Sequence, residues 1–179
     1  MSVFIGLDQS YTSTGYCVLS NDASLKSPVV EFDIIKTSAE DGNMYARAIK
    51  VTNAIVALCK KYPTADVAIE GLSFGQRGNA TRDLAGLQYV IITALITQLN
   101  INNTKIVAPQ SVKKFATGGG GSAKKKVTKI DMVNALPEHV LNAFTGKGFK
   151  KSKGLYDLTD AYWISKFIFK PPESTSSGY

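Results

Sequence analysis

Four acidic residues stand at the edges of segments that the sequence pattern predicts to be regular structure. Asp8 follows a short apolar run, and Glu70 ends the segment VAIE. Asp157 and Asp160 lie three residues apart in the last helical segment, a spacing that places two side chains on one helix face. Hard cations such as Mg²⁺ prefer carboxylate oxygens. The only histidine, His139, has no clustered histidine or cysteine beside it, and we do not expect it to join the acids. If the fold brings the four acids together, they predict a divalent-metal site.

Each acid also has an ordinary structural interpretation. Asp8 can cap a turn with the hydroxyl groups that follow it, and Glu70 can be an exposed strand end. Asp157 and Asp160 can be a helix N-cap and a first-turn acid. The arrangement of the elements decides between these interpretations and a shared site.

Two periodicities define those elements. Short apolar runs bounded by polar or glycine-containing segments predict strands, and apolar residues at spacings of three and four predict helices. The predicted strands are residues 3–7, 15–20, 29–36, 67–70 and 105–107, and the predicted helices are residues 44–58, 81–99, 109–115, 128–136 and 157–169. Asp41 or Asn43 is available to cap the first helix, and Pro63 ends it. The order predicts an α/β fold with a five-stranded mixed sheet, three antiparallel strands followed by parallel strands, flanked by helices.

Length and composition place the chain among ordinary globular proteins. Its 179 residues are 44% hydrophobic and 20% charged, so we expect one domain over residues 1–170 and a disordered tail over residues 171–179. The sequence lacks an apolar run of the roughly 20 residues that span a bilayer, and its start lacks the pattern of a signal peptide. We therefore expect a soluble intracellular protein.

Cys17 and Cys59 fall in apolar segments and are expected to be small buried side chains.

The positive charge is concentrated in one part of the chain. The formal net charge is +7, and between positions 113 and 153 the only acids are Asp131 and Glu138. The lysines of this region are Lys113, Lys114, Lys124, Lys125, Lys126, Lys129, Lys147, Lys150, Lys151 and Lys153. Such a cluster is often a solvated surface loop, but it also permits binding to a polyanion such as DNA.

Taken together and in this chain order, the acidic and basic segments resemble the RuvC family of Holliday junction resolvases, in particular the short versions carried by phages and other viruses. The matching segments are FIGLDQSYTSTGYCVL, VAIEGLSF, PQSVKKFATGGGGSAKKKVTKIDMV and LYDLTDAYWIS. The resemblance implies a ribonuclease H-like fold and a homodimeric, metal-dependent endonuclease that cuts branched DNA in two symmetric places. For a phage protein it would also imply the host cytoplasm.

The resemblance also implies roles for individual residues. Asp8 would bridge two Mg²⁺ ions, which Mn²⁺ could replace, and Glu70, Asp157 and Asp160 would complete the two sites. Two such ions about 4 Å apart orient a water and stabilise charge in phosphodiester hydrolysis. Lys113 and Lys125 would face the scissile phosphate, although the glycine and lysine runs leave Lys124 and Lys126 as alternatives to Lys125.

A wider set of residues would contact DNA. These are Phe74, Arg77, Arg82, Lys114, Lys124, Lys126, Lys129, Lys150 and Lys151. Phe74 would stack on an unpaired base, as an aromatic residue of the corresponding family loop does, or it would pack in the core.

Several alternatives remain open from the sequence. The opening GLDQSYTSTGYCVL also resembles the phosphate loop of the actin, heat-shock ATPase and sugar-kinase superfamily, but those proteins need two large lobes. A protein that holds junctions without cutting would not need the four acids. A nuclease for flaps, forks or general branched DNA fits equally well. The predicted helix 81–99 is apolar on more than one side, which favours a homodimer.

Overall fold

The computed structural model describes residues 2–72, 79–119 and 126–169. The strands are β1 (Val3–Asp8), β2 (Ser13–Ser20), β3 (Val29–Lys36), β4 (Asp66–Glu70) and β5 (Lys105–Val107). The helices are α1 (Met44–Lys61), α2 (Asn79–Leu99), α3 (Pro109–Ala116), α4 (Lys129–Asn134), α5 (Glu138–Gly146) and α6 (Leu155–Ile168), and a 3-10 turn spans Ala39–Asp41.

The strands form one mixed sheet in the order β3-β2-β1-β4-β5. β1 pairs antiparallel with β2 and β2 with β3, whereas β1 with β4 and β4 with β5 are parallel. The predicted five-stranded mixed sheet is therefore confirmed. No helix in these described ranges is long and apolar enough to cross a membrane.

Side-chain alternation along the strands builds a core on each face of the sheet. On β1, Val3, Ile5 and Leu7 pack with the buried residues of α1 and α2. Phe4 points the other way and packs with residues of α3 to α6. Cys17 and Cys59 are both buried and free, as expected, and burial raises the pKa of both thiols.

The helix boundaries differ from the prediction at several ends: α1 continues to Lys61, α2 begins at Asn79, and α6 spans Leu155–Ile168. Asn43, one of the two predicted candidates, caps α1, and its side chain accepts hydrogen bonds from the main chain of Tyr45 and Ala46. The predicted helix 128–136 is shorter, with Thr128 as its N-cap and Asn134 as its last residue. α5 was not predicted, although Pro137 before it and buried Val140 and Phe144 four residues apart are signals of a short amphipathic helix.

Two glycines allow α6 to lie directly on the sheet. A Cβ atom on Gly6 of β1 would collide with the main chain of Ala161 and Ser165, and one on Gly15 of β2 would collide with the main-chain carbonyl of Asp157. The buried Ser165 hydroxyl donates a hydrogen bond of 2.9 Å to the carbonyl oxygen of Phe4. The helix backbone therefore lies close to the strand backbone at Asp157, Ala161 and Ser165.

We predict that Gly15→Ala destabilises the protein by about 1–3 kcal/mol, because the added methyl group must displace the first turn of α6. Gly86→Ala is the matched control, since the nearest atom to its new methyl would be the Tyr11 hydroxyl at 3.9 Å and the position lies inside α2. That control should stabilise the protein by up to about 1 kcal/mol. Urea denaturation followed by circular dichroism measures both changes, and equal stability of Gly15→Ala and wild type would contradict the packing described.

Candidate active site

Two of the four acids lie side by side at the ends of neighbouring parallel strands. The register pairs Leu7 of β1 with Ile69 of β4, so the next residues along each strand are Asp8 and Glu70. Both side chains are partly buried. The carboxyl ends of parallel strands are the usual position of ligand sites in α/β sheets.

α6 brings the other two acids to the same edge. Asp8 pairs with Gly15 across β1 and β2, and the main chain of Asp157 lies against Gly15. Asp157 is therefore held beside Asp8, and Asp160 follows three residues later on the same helix. The N-cap of α6 is Gly154, in a left-handed conformation, so Asp157 is not the cap of this helix.

The turn after Asp8 is closed by other side chains. The Thr14 hydroxyl accepts a hydrogen bond from the Ser10 amide (3.0 Å) and donates one to the Ser10 carbonyl (2.6 Å). Arg47 of α1 donates to the Tyr11 carbonyl at 2.7 Å and so ties the same turn to the helix layer. Capping by Asp8 is therefore not what holds this turn.

The pKa shifts show that the acids act on one another. Burial raises the pKa of Asp8 well above its usual range, and the charges of Asp160, Glu70 and Asp157 raise it further. Burial and the charge of Asp160 raise the pKa of Glu70 to about 7. Burial also raises the pKa of Asp160, and the charge of Asp157 adds to this effect. Without a cation the site therefore resists ionisation of Asp8, Glu70 and Asp160.

Two lysines oppose this repulsion. Lys113 of α3 and Lys129 of α4 both lower the pKa of Glu70 and Asp160. The Lys129 ammonium lies 3.8 Å from Asp160 Oδ2. Lys113 therefore lies close enough to the acids to act on their charge, and its expected position facing the scissile phosphate stays a prediction. Lys129, expected only to contact DNA, lies beside the same carboxylates.

The donor set fits a hard divalent cation. In the described ranges, no three side chains of histidine, cysteine, aspartate or glutamate already converge tightly enough to hold a metal ion. Protein donors engage two of the carboxylates: the Ser13 hydroxyl donates to Asp157, and Lys129 pairs with Asp160. Carboxylate oxygens close enough to raise one another's pKa suit Mg²⁺ or Mn²⁺ better than soft metals.

A basic cleft opens next to Asp157. It has a volume of about 390 Å³ and is lined by the hydroxyl groups of the β1–β2 turn and by four lysines. These lysines are Lys36, Lys129, Lys151 and Lys153. Lys129 and Lys151 were predicted to bind DNA, and Lys153 belongs to the predicted basic region. Lys36 was not singled out, because only the fold brings β3 beside the segment before α6.

The other predicted DNA contacts are more scattered. Lys114, Lys126 and Lys150 are exposed. Arg82 is exposed and lies 3.8 Å from Asp83. Phe74, Arg77, Lys124 and Lys125 lie outside the described residues. His139 is on the exposed side of α5.

Comparison with protein families gives one match that covers most of the chain. A family model described as crossover junction endodeoxyribonuclease RuvC matches residues 4–144, which include Asp8, Glu70, Lys113 and Lys129 but end before α6. A crossover junction endodeoxyribonuclease RuvC of Leifsonia xyli is 32% identical over 136 residues, which are 75% of this chain and 64% of that protein. The chain thus spans just under two thirds of that relative. One from Helicobacter pylori is 26% identical over 69% of this chain and 75% of its own length.

Solved structures show the same fold. A structure of Thermus thermophilus RuvC in complex with a Holliday junction substrate has a TM-score of 0.65 and 21% identity, and the match covers 92% of this chain and 91% of that one. The yeast mitochondrial Holliday junction resolvase Ydc2 has a TM-score of 0.53 and 16% identity, with 90% and 76% covered. The chain therefore has the ribonuclease H-like fold of these proteins.

We predict that Glu70→Gln stabilises the metal-free protein at alkaline pH. Because the pKa of Glu70 rises from 4.5 to about 7 on folding, ionising this carboxyl group costs stability as the pH rises through that range. The variant should gain up to about 3 kcal/mol above pH 7, and the gain should vanish below pH 4.5. Urea denaturation in chelator at several pH values measures this, with exposed Glu138→Gln as the control. A gain that does not depend on pH would contradict the electrostatic account.

Proposed function

The chain belongs to the family of crossover junction endodeoxyribonucleases named RuvC, and from this premise we propose that its four acids form the metal centre at which it cuts branched DNA. One observation carries the proposal. Asp8, Glu70 and Asp160 come from three separate elements, yet at the carboxyl edge of the sheet the charges of Glu70 and Asp160 both raise the pKa of Asp8. The preferred substrate in this proposal is the four-way Holliday junction.

Asp8, Glu70, Asp157 and Asp160 would hold the divalent cations, with Asp8 shared between two. When bound, the cations supply an activated water and stabilisation of the charge on the reacting phosphate oxygens. Mg²⁺ is the proposed ion, and Mn²⁺ is expected to replace it. The same carboxylate charges that raise the pKa values in the metal-free site would attract a divalent cation.

The chain's own cations have two separable tasks. Lys113 and Lys129 lie beside the acids, so a phosphate drawn to the metal centre would meet a fixed positive charge there, which stabilises the transition state. The lysines of the basic cleft would hold neighbouring phosphates, a contact that gives affinity without sequence information. Stacking by Phe74 and a catalytic role for Lys125 remain predictions from the sequence.

Homodimerisation is proposed from the surface of α2. Leu87 and Ile91 are fully buried against the sheet, whereas Tyr89 is 74% exposed, Val90 42% and Ile96 40%. An isologous contact through this apolar surface would give two active sites related by a twofold axis, as two symmetric cuts in a four-way junction require. The predicted two-sided character of the helix thus corresponds to one buried and one exposed apolar side.

Two alternatives differ in substrate or in chemistry. A broader nuclease for flaps and forks would use the same acids and lysines. The raised pKa values of Asp8 and Asp160 indicate that keeping these carboxyl groups close together costs stability. A protein that binds junctions without cutting them would not need such a cluster. The second alternative is therefore the weaker one.

We expect the purified protein to cut a four-way junction in Mg²⁺ faster than a flap and much faster than linear duplex DNA. Asp8→Asn should slow cleavage at least about 100-fold, since even outer-shell partners of metal ligands contribute about 10- to 100-fold. Its affinity for the junction should change little, because the lysines supply most of the binding. Exposed Asp33→Asn is the matched control. Near wild-type cutting by Asp8→Asn would remove this residue from the proposed centre, and equal cutting of all three DNAs would remove the junction preference.

The neighbouring lysines of α3 separate catalysis from binding. Lys113 is partly buried beside the acids and Lys114 is exposed. Lys113→Ala should lower the cleavage rate far more than junction affinity, since its charge acts on the transition state. Lys114→Ala should instead weaken binding and reduce the slope of log K against log salt by about 0.9, the contribution of one phosphate contact. Single-turnover cleavage and a salt titration measure both, and similar losses in rate and affinity for Lys113→Ala would make it an ordinary phosphate contact.

A further inference from the structure

The main-chain carbonyl oxygen of Glu70 accepts hydrogen bonds from two glutamine side chains. Gln9 Nε2 donates to it at 3.1 Å and Gln88 Nε2 at 2.9 Å. Both glutamines are buried, at 5% and 8% exposure. A carbonyl oxygen has two lone pairs, so these amides satisfy its full accepting capacity inside the protein.

The two amides join three elements at the proposed metal centre. Gln9 follows Asp8 at the end of β1, Gln88 lies on α2, and their shared acceptor is the last residue of β4. On the other side, the amide of Gly71 donates to the Val107 carbonyl of β5 at 2.8 Å. The peptide group after Glu70 is thus held at both its oxygen and its nitrogen.

The Gln9 amide is held at a cost to folding. Its Oε1 atom is buried and has no hydrogen-bond partner in the part of the chain that the structure describes. Turning the amide over would bring Oε1 against the carbonyl oxygen of Glu70, so the bond through Nε2 fixes the orientation and leaves Oε1 unpaired. A buried unpaired acceptor lowers stability. A glutamine here is therefore better explained by the position of Glu70 than by folding alone.

We propose that Gln9 and Gln88 are positioning residues that fix the end of β4, and with it the Glu70 carboxylate, beside Asp8 at the proposed metal centre. The inference rests on the proposed metal centre. It assigns α2 a direct link to a metal ligand through Gln88, in addition to the exposed apolar surface of that helix. Neither glutamine touches the reacting atoms in this proposal.

The test is Mn²⁺ binding to the metal-free protein without DNA, measured by isothermal titration calorimetry. Gln88→Met keeps the length of the side chain but cannot donate, and Gln9→Met does the same on the other side. Each should weaken Mn²⁺ binding about 10-fold, as loss of an outer-shell partner does. The double variant should lose more than the product of the two single losses, because the carbonyl oxygen is then left without either donor. Junction affinity in chelator should stay at the wild-type value.

Two controls on α2 separate positioning from general loss of stability. Gln98→Met changes an exposed glutamine of the same helix and should leave Mn²⁺ affinity unchanged. Leu95→Ala removes a fully buried side chain and should lower the melting temperature while changing Mn²⁺ affinity less than about 2-fold. If Gln88→Met does not fold, Gln9→Met alone decides the question.

The outcomes are distinguishable. Weakened Mn²⁺ binding in the glutamine variants, beyond that of Leu95→Ala, supports the proposal. Wild-type Mn²⁺ affinity in both glutamine variants overturns it while leaving the metal centre intact. A wild-type protein that neither binds Mn²⁺ nor cuts branched DNA refutes the proposed function, and the positioning role falls with it.

Discussion

The contact between the backbone of α6 and the backbones of β1 and β2 is the constraint on which the site depends. Gly6 and Gly15 place no side chain of their own between helix and sheet, so at these two positions the main chain of Ala161 and Asp157 lies against the strands. The bond from Ser165 to the Phe4 carbonyl fixes the helix along its axis. Any side chain at the two glycines would lift α6 away, and Asp157 and Asp160 would leave the edge of the sheet with it.

This packing places several carboxyl groups close together, and other groups of the site offset the repulsion between them. Carboxyl groups from β1, β4 and α6 are partly buried within reach of one another, and their pKa values rise accordingly. Lys113 and Lys129 offset part of the repulsion, and in the proposed function divalent cations offset the rest. The amides on the Glu70 carbonyl hold the strand end in place against the same repulsion. The repulsion between the carboxyl groups lowers stability at this edge, and bound cations would relieve it in the proposed function.

Local patterns predicted the parts of the protein that local physics determines. The strand at residues 105–107, the long α1 and α2, and the convergence of strand-end acids follow from apolar spacing and from the rules of parallel sheets. The predicted RuvC family is confirmed by the family match over residues 4–144. The metal, the dimer and the roles of individual residues remain proposals.

What the sequence could not reveal depends on contacts between distant segments. The sequence did not distinguish Lys129 from the other lysines of the basic region, whereas the fold of α4 and α6 places its ammonium group 3.8 Å from Asp160. Gln9 and Gln88 have no sequence signature, since their shared acceptor is a main-chain atom of a third element. α5 was missed because only Val140 and Phe144 mark its apolar side.

The proposed metal centre is tested most directly by anomalous diffraction from crystals grown with Mn²⁺. We expect Mn²⁺ peaks at this edge of the sheet, held by the carboxylates of Asp8, Glu70, Asp157 and Asp160. Mn²⁺ bound elsewhere, or no Mn²⁺ at these four residues, would contradict this expectation.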